Sequence, residues 1–425
     1  MNYQTLKGFR DLLPEETELW LWMEGIIRDL MRRYGFGELR LPCVEATELF
    51  TRGIGEGTDV VGKEMYSFLD RSDPPLSISL RPEMTAGAAR AYVQYSIAQQ
   101  QSVTRWYYVG PAFRYEQPQA GRYRQHSQFG VELIGSPRPE AEAEVLGLAN
   151  DLLRDLGLSN YRLKINSLGM PQERTEFRSA LVEFLRERSA QLSEDSRRRM
   201  EQNPLRVLDS KEEEDIEATV DAPSILEFLG EESRGHFQMV QQLLTAAKIP
   251  FEVDSRLVRG LDYYTRTVFE FVGGDLGAQN TLIGGGRYDN LIEEIGGKPA
   301  PAIGFGCGLD RLILSVQAAN SGPQSAATVD AYIVALDDDA RRWAVETAAT
   351  LRRAGASVEF DLLGRSMKAQ MREANRKGAV RAIIIGSNEM AAKVAQVKEM
   401  EANEQSEVPF DQLTDLITGK GKKEI

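Results

Sequence analysis

Residues 257–270 read LVRGLDYYTRTVFE, and their layout decides how the chain is read. Arg259 stands four residues before the first of two adjacent tyrosines, Tyr263 and Tyr264. The run closes on Thr267-Val-Phe-Glu270, β-branched and aromatic residues that favour a strand. Further on, residues 284–289 read GGGRYD. Taken singly, an arginine in a loop is a solvated charge, and a tyrosine pair is the half-buried edge of a strand. The order and spacing of the whole run are more specific than either.

Working outward, sheet texture begins at Phe251, passes through the tyrosine pair and reaches Ala302-Ile-Gly-Phe305. A helix from about Leu309 to Ala319 follows. On the N-terminal side, Leu19, Trp22, Met23, Ile26, Ile27, Leu30 and Met31 recur at helical spacing over 15–34, closed by Gly35. Leu39–Val44 reads as a strand interrupted by Pro42, which suits an edge or a subunit boundary. Leu76–Leu80 and Trp106–Val109 read as further strands, Glu140–Leu156 as a helix and Tyr161–Ile165 as a strand. From Gly169 to about Pro250 the texture is helical and highly charged, with an acidic run at Lys211–Glu217 read as solvated. It looks like a helical insertion, at about 170–250, inside a sheet-forming core. Asn320–Ser325 is polar and turn-forming, as a linker would be. Beyond it, strands at Ala331–Leu336, Val358–Leu362 and Ala382–Ile385 alternate with helices at Arg341–Ala354 and Ser366–Lys377. That alternation predicts a separate α/β domain on a largely parallel sheet.

The totals agree with a large globular chain. Its 425 residues predict roughly two to four domains. Apolar residues make up 42% and charged residues 27%. No run is apolar enough to span a bilayer, and Met1–Arg10 lacks the layout of a signal peptide. Only Cys43 and Cys307 occur, with His126 and His236 the sole histidines. This predicts a reducing, cytoplasmic setting and no structural zinc. The net charge of −13, taken alone, argues mildly against nucleic-acid binding, where a basic footprint is expected, yet a local basic strip can still meet phosphates.

Three further stretches carry chemistry. Residues 113–116 read FRYE, 117–124 QPQAGRYR and 128–132 QFGVE. Strand, loop and returning strand make a hairpin, which can set Arg114 beside a phosphate; the planar guanidinium meets two oxygens at once. Residues 304–311 read GFGCGLDR. Here glycines lead into a helix whose first turn carries Arg311, an arrangement that favours an anion. Neither the dinucleotide fingerprint nor a P-loop is met. Residues 81–85 read RPEMT, where Glu83 can accept from an ammonium and Thr85 offers a hydroxyl.

Together these stretches resemble the histidyl-tRNA synthetases. Residues 257–270 and 284–289 resemble that family's two histidine-specific signatures, the hairpin resembles motif 2 of class II aminoacyl-tRNA synthetases, and 304–311 resembles motif 3. The helix ending near Tyr34 and the strand with Pro42 correspond to motif 1, which pairs subunits. The resemblance runs from residues 8–14, GFRDLLP, into the C-terminal α/β domain. It implies a class II core at 1–325, a mixed and mostly antiparallel sheet with flanking helices, and an anticodon-binding domain at 328–425. It also implies ATP-dependent activation of L-histidine, transfer to tRNA(His), Mg²⁺ accompanying ATP, and a homodimer.

The same resemblance implies residue roles. Glu83, Thr85 and Gln128 hold the amino group of histidine. Glu132 and Tyr264 read the imidazole nitrogens, with Tyr263 nearby. Arg114 and Arg311 grip ATP phosphates, and Glu116 and Arg122 belong to the same ATP site. Arg259 lies near the histidine carboxylate and the α-phosphate. His126 stands against the adenine where the family has Phe. Gln117 takes a motif 2 loop place where Arg is commoner. With Gln119 it faces the tRNA acceptor end, so recognition of the extra 5′ guanosine of histidine tRNA is weakened. A rival reading is a non-catalytic regulatory subunit of ATP phosphoribosyltransferase, a synthetase-like protein that usually lacks these residues and the C-terminal domain.

Overall fold

In a computed structural model of the chain, the described residues are 3–55, 58, 60–119, 121–259, 263–274, 281–323 and 329–419. Gly260, Leu261 and Asp262 of the opening run therefore lie outside them, as do the linker residues Gln324 and Ser325 and the outer limits expected for the two domains. The chain divides into two compact units, Met1–Gly322 and Pro323–Ile425.

The first unit is built on an eight-stranded sheet. Its order is Gly37–Glu38, Thr104–Phe113, Gln125–Ile134, Ala302–Gly308, Thr281–Arg287, Thr265–Gly273, Tyr161–Ser167 and Glu252–Val253. Every central pairing is antiparallel, and only the two outermost are parallel. This is the mixed, mostly antiparallel sheet expected.

Alternation along the strands sorts the two faces. Phe129, Val131 and Leu133 point into one apolar layer with Ile303, Phe305, Cys307, Phe269, Phe271 and Ile283. Helix Pro14–Tyr34 closes that layer through Trp20, Met23, Ile27, Leu30 and Met31. The helix starts on Pro14, carries Glu15 and Glu16 in its first turn and Arg32 and Arg33 in its last, and stops at Gly35 with φ 70°. Each feature suits the helix dipole or its ends. Helices Glu140–Asp155, Glu231–Ala246 and Leu309–Ala318 complete the layer.

Residues 39–43 depart from the expected strand. Gly37–Glu38 joins the large sheet, and Val44–Ala46 joins a separate three-stranded sheet with Ser77–Leu80 and Tyr66–Leu69. Between them the carbonyls of Leu41 and Pro42 accept from the buried Arg81 guanidinium at 2.8 and 3.1 Å, and Pro42 has no N–H for a ladder. The insertion is helical as expected, from Pro171–Glu187 to Glu231–Ala246. Its acidic run is not wholly solvated. Asp215 is fully buried, accepting from the hydroxyls of Ser193, Ser196 and Ser210 at 2.8, 2.6 and 2.6 Å.

The second unit holds a five-stranded sheet in the order Val358–Phe360, Val329–Ala335, Ala379–Ile385, Val394–Glu399, Glu404–Pro409. The first three strands are parallel. The last two run antiparallel and carry no clear apolar period, which is why sequence reasoning passed over them.

Candidate active site

The face of the large sheet opposite the apolar layer is nearly bare of side chains at its centre. Gly304 lies opposite Glu132, Gly306 opposite Gly130, and Gly284 and Gly286 opposite Gly306 and Gly304. A Cβ on Gly284 would collide with the Arg259 guanidinium, one on Gly304 with the Glu132 carboxylate, and one on Gly306 would stand 2.5 Å from Gln128 Nε2. The glycines thus form a floor on which longer side chains lie flat. Above it opens a cavity of about 400 Å³, lined by Glu83, Thr85, Arg114, Glu116, Arg122, His126, Gln128, Arg259, Tyr263, Tyr264 and Arg311 among others.

One end of the cavity is acidic and phenolic. Glu83 accepts the N–H groups of Thr85 and Ala86 at 2.6 and 2.9 Å, at the start of helix Thr85–Gln94. Burial still raises its carboxyl above the usual range. The Glu132 carboxylate lies against Gly304 on the same face of the sheet and is buried, with a relative exposure of 1%. Tyr108 Oη donates to one of its oxygens at 2.8 Å and Tyr288 Oη to the other. Burial outweighs these bonds and pushes Glu132 up to about 8. The Tyr263 and Tyr264 rings lie tilted against each other with centres 4.7 Å apart, and Tyr263 meets the Tyr288 ring edge-on at 5.5 Å. Gln128 Oε1 is a buried acceptor with no partner among the described residues.

The other end is cationic. Arg114 Nε donates to the Pro82 carbonyl at 2.8 Å, and Arg311 Nη1 to the Thr281 carbonyl at 2.8 Å. Arg122 pairs with Glu116. Burial and neighbouring cations lower the pKa of Arg122 and Arg311, so this cluster repels itself and favours an anion. Burial, then Arg114 and Arg122, bring His126 down to about 3, which leaves its ring neutral near pH 7. Arg259 joins the two ends. It pairs with Glu270, and its Nε is buried without a partner among the described residues.

The residues singled out in the sequence therefore converge, with two exceptions. Gln117 and Gln119 are exposed on the hairpin loop, away from the cavity lining. Sequence reasoning missed Tyr108, Tyr288, Glu270, Asp310 and Lys211. Glu270 was legible, since it alternates with Phe269 and Phe271 and lies opposite Gly284. Tyr108 lies opposite Gly130, whose Cβ would stand 2.5 Å from its ring. Lys211 reaches the cavity from the insertion, and no local pattern announces it.

The family model described as histidyl-tRNA synthetase matches residues 8–312, and one described as anticodon binding domain matches 330–420. The chain belongs to the histidyl-tRNA synthetase family. Among relatives of this family, the histidine–tRNA ligase of Crocosphaera subtropica is 48% identical over 402 residues, 95% of this chain and 92% of that protein. The histidine–tRNA ligase of Geobacillus thermodenitrificans is 46% identical over 427 residues, covering all of both chains. Among solved structures, the apo histidyl-tRNA synthetase of S. aureus superposes with a TM-score of 0.83 at 34% identity, over 98% of this chain and 100% of that one.

Proposed function

We infer that the chain is a histidine–tRNA ligase. A histidine carboxylate oxygen attacks the α-phosphorus of ATP, the bond to pyrophosphate breaks, and histidyl-adenylate forms. A hydroxyl of the 3′-terminal ribose of tRNA(His) then takes the histidyl group, and AMP leaves. The reading rests chiefly on likeness along the whole chain to proteins named for this activity. A single cavity with one acidic and one cationic end also fits an amino acid beside a triphosphate.

Within that reading we assign the residues as follows. Gln128 Oε1, Glu83 and Thr85 receive the ammonium; the unpartnered Gln128 oxygen supplies an acceptor that is costly to leave unpaired. Glu132 and Tyr264 read the imidazole, which has one donor and one acceptor nitrogen when neutral. Tyr263 walls that pocket, and an analogue lacking either ring contact leaves a buried polar group unpaired. Arg114, Arg122 and Arg311 grip the ATP phosphates, Glu116 holds Arg122 in place, and the neutral His126 ring stacks on adenine. Arg259 supplies positive charge where the carboxylate meets the α-phosphate. Both reactants are anionic already, so positioning and charge, rather than a protein base, supply the rate. Mg²⁺ arrives with ATP as part of the substrate. Among the described residues no group of three or more His, Cys, Asp or Glu could form a metal cage.

The second unit, with residues 328–425, reads the anticodon. The chain works as a cytoplasmic homodimer paired through the region of Tyr34 and Pro42, and no helix among the described residues is long and apolar enough to cross a membrane.

The deciding experiment is exchange of labelled pyrophosphate into ATP without tRNA. Histidine should support it and the other amino acids should not. Absence of exchange, together with binding to a phosphoribosyltransferase subunit, would instead favour the regulatory reading. A second expectation concerns the exposed Gln117. Arg there would make a charge-assisted contact to a phosphate or guanine edge, and Gln makes a weaker neutral one. Gln117→Arg should therefore widen the gap in charging between tRNA transcripts with and without the extra 5′ guanosine. An unchanged ratio would show that Gln117 does not set this preference.

A further inference from the structure

The cationic end of the cavity contains a second carboxylate besides Glu116, and its partner comes from far away in sequence. Asp310 lines the cavity beside Arg311, and its side chain is only 7% exposed. One oxygen, Oδ2, accepts the N–H of Ser127 at 2.9 Å, next to His126. The other, Oδ1, accepts from Arg10 Nη2 at 3.1 Å. Arg10 comes from the N-terminal segment, 300 residues away in sequence. Its guanidinium also lies 4.6 Å from the centre of the Tyr123 ring, another lining residue, and its Nη1 pairs with Glu16 at 3.2 Å.

The segment around Arg10 is fastened to the hairpin loop. The Gly8 carbonyl accepts from the N–H groups of Arg124 and Gln125 at 2.8 and 3.4 Å. Gly8 sits at φ +87°, and a Cβ there would stand 2.7 Å from Arg124 Cγ. Phe9 meets Tyr66 edge-on at 6.3 Å, Tyr66 meets Tyr115 at 5.5 Å, and the Arg124 guanidinium lies 3.7 Å over the Tyr115 ring. Residues 8–10 thus strap down the returning half of the loop that carries Arg114, Glu116 and Arg122.

We propose that Arg10 is a positioning residue for ATP: it neutralises Asp310 and holds Tyr123, so that the cationic end presents net positive charge to the triphosphate. The proposal rests on the assignment of ATP to that end. Without Arg10, the nearly buried Asp310 carboxylate loses its ion-pair partner, keeps the Ser127 N–H, and draws on the cationic cluster that the phosphates would otherwise meet. Coulomb repulsion at such range in a partly buried site is large enough to weaken ATP binding about tenfold. The histidine end, walled by Glu83, Glu132 and the tyrosines, is not touched by Arg10.

The test is pyrophosphate exchange by the full-length Arg10→Ala protein, with KM measured separately for ATP and histidine. The expected result is a KM for ATP raised about tenfold and a KM for histidine changed less than about twofold. Because the defect is a stranded charge, Arg10→Ala combined with Asp310→Asn should recover most of the loss, as Asn keeps an oxygen for the Ser127 N–H. Arg10→Gln, which keeps length without charge, should behave like Arg10→Ala and guards against misfolding of the shorter variant. Equal rises in both KM values, no rise, or no recovery in the double variant would each overturn the proposal. Arg311→Ala separates this from failure of the underlying site. If it leaves KM for ATP unchanged, the assignment of ATP to this end is itself wrong.

Discussion

Arg259→Ala should slow histidyl-adenylate formation by on the order of 10²–10³, the usual loss for one charge-stabilising contact, and change histidine affinity little. The cation lies over Gly284, held by Glu270, which Thr281 Oγ1 also steadies at 3.1 Å. A group fixed before the substrates arrive needs no reorganisation as negative charge concentrates between carboxylate and α-phosphate. Its worth is therefore greatest in the transition state. Truncation also leaves Glu270 with one cation fewer in a site that must accept anions. Arg259→Ala combined with Glu270→Gln removes that second effect and reports the loss of the guanidinium alone. Single-turnover adenylate formation and equilibrium histidine binding, measured side by side, decide the matter. Weakened histidine binding with an unchanged rate would contradict the role.

Much of this was legible in the residues. The strand carrying Gln128 and Glu132 alternates them with Phe129, Val131 and Leu133, Glu270 stands between Phe269 and Phe271, and a period of two fixes which side chains share a face. The glycines at 284, 286, 304 and 306 mark where a sheet gives up side chains so that others can lie across it. Legibility ended where a role depends on parts distant in sequence. Tyr108, on strand Thr104–Phe113, and Tyr288, just past strand Thr281–Arg287, each donate to Glu132, and nothing local to either announces it. Arg10 meets Asp310 only because the N-terminal segment crosses the hairpin. The acidic neighbours of Asp215 in sequence predict a solvated run, yet Asp215 is buried and accepts from the hydroxyls of Ser193, Ser196 and Ser210. Local composition describes the company a residue keeps along the chain, and burial depends on the company it keeps in space. For the same reason Arg287 stood in the quoted GGGRYD run without a task.

Arg287→Ala should destabilise the first unit by about 3–5 kcal/mol, the usual result of stranding one partner of a buried ion pair. Arg287 and Glu142 are both fully buried and paired, with Arg287 Nε donating at 2.7 Å. His236 Nε2 meets the same carboxylate at 2.6 Å, and Arg287 also donates to Asp289 at 3.1 Å. The cluster ties strand Thr281–Arg287, which carries the glycine floor, to helix Glu140–Asp155 and to the last helix of the insertion. Burial alone would raise the Glu142 carboxyl. The bonds from Arg287 and His236 outweigh it and hold the group at about 2, against an ordinary 4.5. A lowered carboxyl stabilises the fold above its unfolded pKa, here by about 3 kcal/mol. That stability is lost as pH falls from 4.5 towards 2. In Arg287→Ala the main cation is gone and burial raises the Glu142 pKa, so the carboxyl can take up a proton in the folded state. The deficit against the parent protein should therefore be largest at neutral pH and above, and should shrink as pH falls, first as the variant's raised carboxyl takes up a proton and then below about pH 4.5 as the parent loses the contribution of Glu142. Denaturant unfolding of both proteins across that range checks the prediction. A deficit that does not change with pH would mean that lost packing around Arg287, and not its charge on Glu142, is what the substitution removes.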